Sequence, residues 1–121
     1  MDDFEVSKQI NAFLLFLTDC SQQYHMAEAE EQEANDQTQD ILHSLELQNH
    51  DYHSFARLSK ELKGIRQSRR RAKDIMGTTA PVLDWMEKNR ACIKSLEQLL
   101  GIVRKAEKRT ENRIYTPKAR K

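Results

Sequence analysis

From Val6 to Leu45, apolar or small residues return at alternating intervals of three and four: Val6, Ile10, Phe13, Leu17, Cys20, Tyr24, Ala27, Glu31, Ala34, Thr38, Ile41 and Leu45. Such a seam covers one narrow stripe of an α-helix and needs a second helix to bury it. One charged residue, Glu31, interrupts it. Helix breakers are scarce, with 3 Gly and 2 Pro in 121 residues, and the first of them is Gly64. A chain so poor in Gly and Pro runs in long helices, and nothing in it reads as a hairpin strand. The expected fold is therefore all-α, an antiparallel coiled-coil-like bundle of three long helices in a single domain over residues 1–113, with a flexible basic tail over 114–121.

The expected helices cover about 3–48, 51–76 and 80–112. Asp2 or Asp3 suits the start of the first, and Asp51 suits the N-cap of the second. A second seam follows that cap: Phe55, Leu58, Leu62, Ile65, Arg69, Ala72 and Met76. Gly77 reads as a C-terminal stop, Thr78 or Thr79 as the next cap, and Pro81 as a first-turn residue. Folded at His50, the two seams align Leu45 with Phe55, Ile41 with Leu58, Ala34 with Ile65 and Glu31 with Arg69. The third helix carries two apolar rows, one through Val82, Trp85, Cys92, Leu96, Leu99, Val103 and Ala106, the other through Leu83, Met86, Ile93 and Leu100. That width lets it contact both earlier helices.

In this register residues 4–17 project beyond the second helix, although they are the most apolar stretch of the chain. Phe4, Ile10, Phe13, Leu14, Phe16 and Leu17 are the candidate partner or oligomer interface. Phe13 to Leu17 are apolar all round the helix, so one seam cannot cover them. Three outcomes are open: dimerisation, docking on another protein, or a break at Thr18 to Ser21 that folds the segment back as a short extra helix, with Asp19 and Gln22 in a capping-box spacing. A homodimer through residues 4–17 is the favoured one.

Charge is divided along the chain. Residues 1–53 hold twelve acids and one base, and residues 54–121 hold nineteen bases and seven acids. The acidic run Glu28 to Asp40 lies alongside the basic run Arg66 to Lys73 in the expected hairpin, so charge matching between the two helices is the first explanation. The second is contact with nucleic acid or an acidic partner through Arg66, Arg70 and Arg71, and through Arg104, Lys105, Lys108, Arg109 and Arg113 near a C-terminus expected to overhang the hairpin turn.

The chain lacks the patterns that catalysis requires. It has no phosphate-cradling Gly loop, no nucleophile elbow and no H-E-x-x-H. His43, Glu46, His50 and His53 cluster near the first turn, but tetrahedral zinc needs about four well-placed ligands, and they read as polar residues of a turn. No metal or cofactor is expected. Cys20 and Cys92 are too few and too far apart for a disulfide framework. The N-terminus, Met1-Asp2-Asp3, lacks a basic leader, and Phe13 to Leu17 is too short to span a bilayer. The expectation is a soluble cytoplasmic protein.

Three stretches resemble small helical accessory proteins encoded by temperate phages of Gram-positive bacteria. They are Thr38 to His43 with Leu45 to Leu47, the basic helix Arg66 to Asp74, and Arg104 to Glu107 followed by Asn112 to Tyr115 and Pro117. The resemblance implies an inhibitor or regulator that works in the host cytoplasm by steric occlusion of a host or phage protein. It assigns no functional residue.

Overall fold

The computed structural model describes residues 4–115. It contains three long α-helices and, among the described residues, no strand: α1 (Val6–Leu47), α2 (Tyr52–Lys88) and α3 (Arg90–Tyr115). The all-α architecture is the one the seams imply. The expected tail begins inside a helix, since α3 runs to Tyr115, and the rest of it, 116–121, lies outside the described residues. Asp2 and Asp3 lie outside them too, and α1 begins later than expected. The chain forms two compact units, one from Cys20–Leu83 and the other from Met1–Asp19 with Asp84–Lys121.

The Cys20–Leu83 unit is a hairpin of α1 and α2. Its buried residues are Cys20, Ala27, Ala34, Ile41, Leu58 and Ala72, and Ala72 is 0% exposed. Every one but Cys20 lies on the two expected seams between Tyr24 and Met76, and Cys20 continues the first. Alanine at three of these positions lets the two backbones approach closely. Asp51 caps α2 as expected, its Oδ1 accepting the Ser54 N–H at 2.8 Å. That bond holds the Asp51 carboxyl below its ordinary pKa. At the end of α1 the Ser44 carbonyl accepts from His50 Nε2 at 2.9 Å, so that nitrogen carries the ring proton. The His50 ring also packs edge-on against Phe55, with centroids 5.7 Å apart. The turn histidine thus serves as a helix-end partner.

The charge pair across the hairpin differs from the expected one. Glu31 meets Lys73, Oε2 to Nζ 3.7 Å, in place of Arg69. One groove is lined by Gln37, Asp40 and Ile41 from α1 and by Glu61, Gly64, Ile65 and Ser68 from α2. Ile41 thus borders the same groove as Gly64 and Ile65. The reason is geometric. A seam side chain enters the hole between facing residues, so two seams mesh out of step and do not stand residue against residue. Arg69 consequently sits half-buried on the seam with its Nε unpartnered.

The larger departure is at Gly77. The sequence reads Gly77, Thr78, Thr79 and Pro81 as stop, cap and restart, yet α2 runs through all four. No described glycine has positive φ, so Gly77 is not a left-handed terminus. The threonine hydroxyls turn back along the helix. Thr78 Oγ1 donates to the carbonyls of Asp74 (3.2 Å) and Ile75 (3.1 Å), and Thr79 Oγ1 donates to Ile75 at 2.7 Å. These bonds are the mid-helix alternative to capping. Pro81 lacks an N–H and leaves the Gly77 carbonyl without its usual donor. The real break is Asn89, whose Nδ2 donates to the Trp85 carbonyl at 2.8 Å while its own carbonyl accepts the Ile93 N–H at 3.0 Å. Val82, Leu83, Trp85 and Met86 thus belong to α2, and α3 shares its unit with the start of α1 and only the last turn of α2.

A Cβ added at Gly77 would meet nothing within 4 Å. Gly77→Ala should therefore stabilise the protein by about 0.5–1 kcal/mol, because alanine in a helix interior restricts the unfolded chain and favours the helix. Chemical denaturation measures this. A comparable loss of stability would instead mark Gly77 as the left-handed terminus that the sequence suggests.

Candidate protein-binding surface

In the other unit the first turns of α1 pack with α3, so residues 4–17 do not project alone. There is no break at Thr18 to Ser21. The helix is continuous there, and Thr18 Oγ1 donates to the Leu14 carbonyl at 3.4 Å. Ending the second helix at Gly77 is what leaves this segment without a partner when the sequence is read alone. Extending α2 to Lys88 lets α3 cover it.

The cover is partial. Leu17 and Leu100 are buried, while Ile10, Leu14, Ile93, Leu96 and Val103 are half-buried. These are the inner positions of each helix. On α3 they follow one face, with Ile93, Leu96, Leu100 and Val103 repeating at three and four. The remaining large residues stay in solvent. Phe13 is 43% exposed, Leu15 53% and Phe16 50%, and the Phe13 and Phe16 rings lie 6.3 Å apart on adjacent turns. Phe4 is also exposed. On α3 a second row, Cys92, Ser95, Leu99, Ile102 and Ala106, repeats at three and four beside the buried row and is exposed throughout. Of the six candidate interface residues, the structure therefore turns Leu17 fully inward and Ile10 and Leu14 partly so. Phe4, Phe13 and Phe16 remain outward.

Glu107 closes the start of α1. It continues the buried row of α3 by one turn, and its Oε2 accepts the Ser7 N–H at 3.0 Å. Ser7 lies in the first turn of its helix, where backbone N–H groups have no partner inside the helix. A carboxylate at that place also meets the positive end of the helix dipole. The Ser7 N–H bond is the main reason the Glu107 carboxyl is held below its ordinary pKa of 4.5. Sequence patterning gives no sign of this cap, because its two halves lie a hundred residues apart.

The same neighbourhood corrects the expected place of the C-terminal bases. Phe4, Glu5 and Val6 share a groove with Val103, Ala106, Glu107, Thr110 and Glu111. This end of α3 therefore lies beside the start of α1, which is not where the expected hairpin put it. Arg104, Lys105, Lys108 and Arg109 are exposed along it. Arg113 falls in the last turn of its backbone helix. In the hairpin unit Arg66, Arg70 and Arg71 are all exposed. Charge matching across the hairpin is slight: among the described residues Glu31–Lys73 is the one ion pair joining α1 and α2. No group of three or more His, Cys, Asp or Glu is placed to hold a metal among the described residues, and no described helix is long and apolar enough to cross a membrane. No protein family, curated protein or solved structure matches the chain.

Glu107→Gln should lower stability at neutral pH. The folded-state pKa lies below 4.5, so the carboxylate's contribution is fully present above that value and fades as pH falls through the lower, folded one. Urea titrations at neutral pH and in acid should show the intact protein and the variant converging in acid. A gap that stays constant with pH would show that the Ser7 bond does not depend on the charge.

Proposed function

We propose that this chain is a non-enzymatic, protein-binding helical module, and that a second copy of itself is one surface it binds. The exposed Phe13, Leu15 and Phe16 carry the reading. Exposed apolar surface of this kind, with the Phe13 and Phe16 rings 6.3 Å apart, is what protein interfaces cover, and aromatic residues dominate their energetics. The α3 row through Leu99 and Ile102 adds apolar surface to the same unit. A symmetric pairing covers the same patch on both copies and is the commonest way to close one.

Binding of this type acts by occlusion. Rigid helices laid on a partner hide whatever that surface would otherwise contact, so the module regulates without a reaction of its own. The likeness to small phage accessory proteins points the same way, to an inhibitor or regulator of a host or phage protein in the bacterial cytoplasm.

Light scattering of the intact protein and of a Phe13→Glu, Phe16→Glu variant tests the reading. Neither residue is part of the buried core, so the variant should keep its helical content. The intact protein should have twice the chain mass and the variant the mass of one chain. An intact protein of single-chain mass would overturn the self-association. If, in addition, the intact protein and the variant captured the same set of proteins from a bacterial extract, the face would not be a binding surface.

A further inference from the structure

The hairpin of α1 and α2 has two open sides, and its charges are sorted between them. The first side holds the groove of Gln37, Asp40, Glu61, Gly64 and Ser68. Glu30 and Glu33 continue the row of Gln37 and Asp40 at spacings of three and four, so three carboxylates of α1 gather there. The second side carries a separate groove on α2, lined by Ser59, Leu62, Lys63, Arg66, Gln67 and Arg70. Across the seam, the residues of α1 on that side are Gln32, Asn35 and Gln39, again at three and four. They are amides where the opposite flank has acids. Glu28 and Glu46 share this side but fall beyond the two ends of the Lys63–Arg70 stripe, Glu28 meeting His25 at 3.6 Å. Glu31 reaches this side from the seam and is held by Lys73, the next cation of the row, at 3.7 Å, while Asp36 on the outer face accepts from Gln32 Nε2 at 3.1 Å.

We propose that this second side binds the phosphate backbone of a nucleic acid, with Lys63, Arg66 and Arg70 as the phosphate contacts and Asn35, Gln39 and Ser59 as neutral donors. The first and last of the three cations are seven positions apart on one face, roughly 10 Å of helix, about three phosphate-to-phosphate steps along one strand. All three are exposed, and none has a carboxylate within 4 Å among the described residues. Arg71 is not part of the stripe: it lies on another face of α2, with its Nη2 3.5 Å from the Ser68 hydroxyl of the carboxylate-bearing side. Arg69 is taken up by the seam. The composition of the groove favours a polyanion over an acidic protein helix. Leu62 is its one large apolar side chain and is itself half-buried, so an amphipathic helix would find little to bury there. This surface lies in the Cys20–Leu83 unit and does not draw on Phe13 or Phe16.

The test is fluorescence anisotropy of a labelled random-sequence DNA duplex, titrated with the full chain at several salt concentrations. Three proteins are compared: the intact chain, a Lys63→Gln, Arg66→Gln, Arg70→Gln variant, and an Arg57→Gln, Lys60→Gln, Arg71→Gln variant that removes the same charge from exposed positions off the stripe. If each stripe residue makes one phosphate contact, raising salt from roughly 50 to 200 mM should weaken the intact protein about 40-fold more than the stripe variant. The control variant should keep the salt dependence of the intact protein. No binding by the intact protein at low salt overturns the proposal, as does an equal loss in both variants, which would mean diffuse attraction to net charge. Circular dichroism checks that the helices persist. Should the triple variant unfold, the three single variants read the same slope, one contact each. The Phe13→Glu, Phe16→Glu variant should bind the duplex even if it no longer self-associates, so the two readings fail separately.

Discussion

Two helices in contact can hide only one stripe of each, and this limit governs the whole molecule. A pair of helices has no interior beyond its seam. The core is accordingly thin: eight apolar residues are buried among those described, and three of them are alanines. What alanine loses in buried area it returns as close approach of the backbones, which the 0% exposure of Ala72 reflects. Other large side chains, such as Met26 and Phe55, stay partly wet because no third helix stands over them within their own unit. The exposed apolar surface follows from the same limit. Phe13, Leu15 and Phe16 on α1 and Leu99 and Ile102 on α3 are apolar residues outside the stripes that those helices bury.

The fold class is legible because it rests on periodicity, which a sequence displays directly. The two hairpin seams, the Asp51 cap and the polar turn at His50 all follow from spacing and from residues with a narrow structural meaning. Gly77 and Pro81 mislead because their meaning depends on context. The same Gly-Thr-Thr-x-Pro string can stop a helix or be carried through one, according to whether the threonine hydroxyls turn forward to free N–H groups or back to carbonyls. The true break, Asn89, sits between Lys88 and Arg90 in a stretch with no Gly or Pro, and a lone asparagine there is a faint signal. One misplaced boundary then propagates. It removes the partner of residues 4–17, moves the C-terminal bases to the wrong end, and invites a break at Thr18 that does not exist.

The proposed binding surfaces are legible in part, and for a related reason. Phe13 and Phe16 stand out because a helix apolar all round cannot be covered from one side. Leu17 and Leu14 are swept in with them, since only the position of α3 decides which of these neighbours is inside. The charge pattern is visible in bulk but not by face. Opposite charges along two antiparallel helices suggest a zipper, yet helical phase sends Glu30, Glu33 and Asp40 to one side of the hairpin and the α2 stripe to the other. Arg66 and Arg71 are close in sequence and identical in chemistry, and they face different surroundings. Separating them needs the seam's phase and its meshing with the facing helix.

The bond between Ser7 and Glu107 also has a consequence in time. A ribosome adds about 5–20 residues per second, so the first turns of α1 leave the tunnel roughly 5–20 seconds before the segment that covers them. The hairpin of Cys20–Leu83 is built from contacts nearer in sequence and can close while that wait continues. During the interval Leu14 and Leu17 stand in water beside Phe13 and Phe16, and the nascent chain offers a stickier surface than the finished one. On a polysome, neighbouring chains at the same stage carry the same uncovered stretch. Association between copies can therefore begin before either copy is complete.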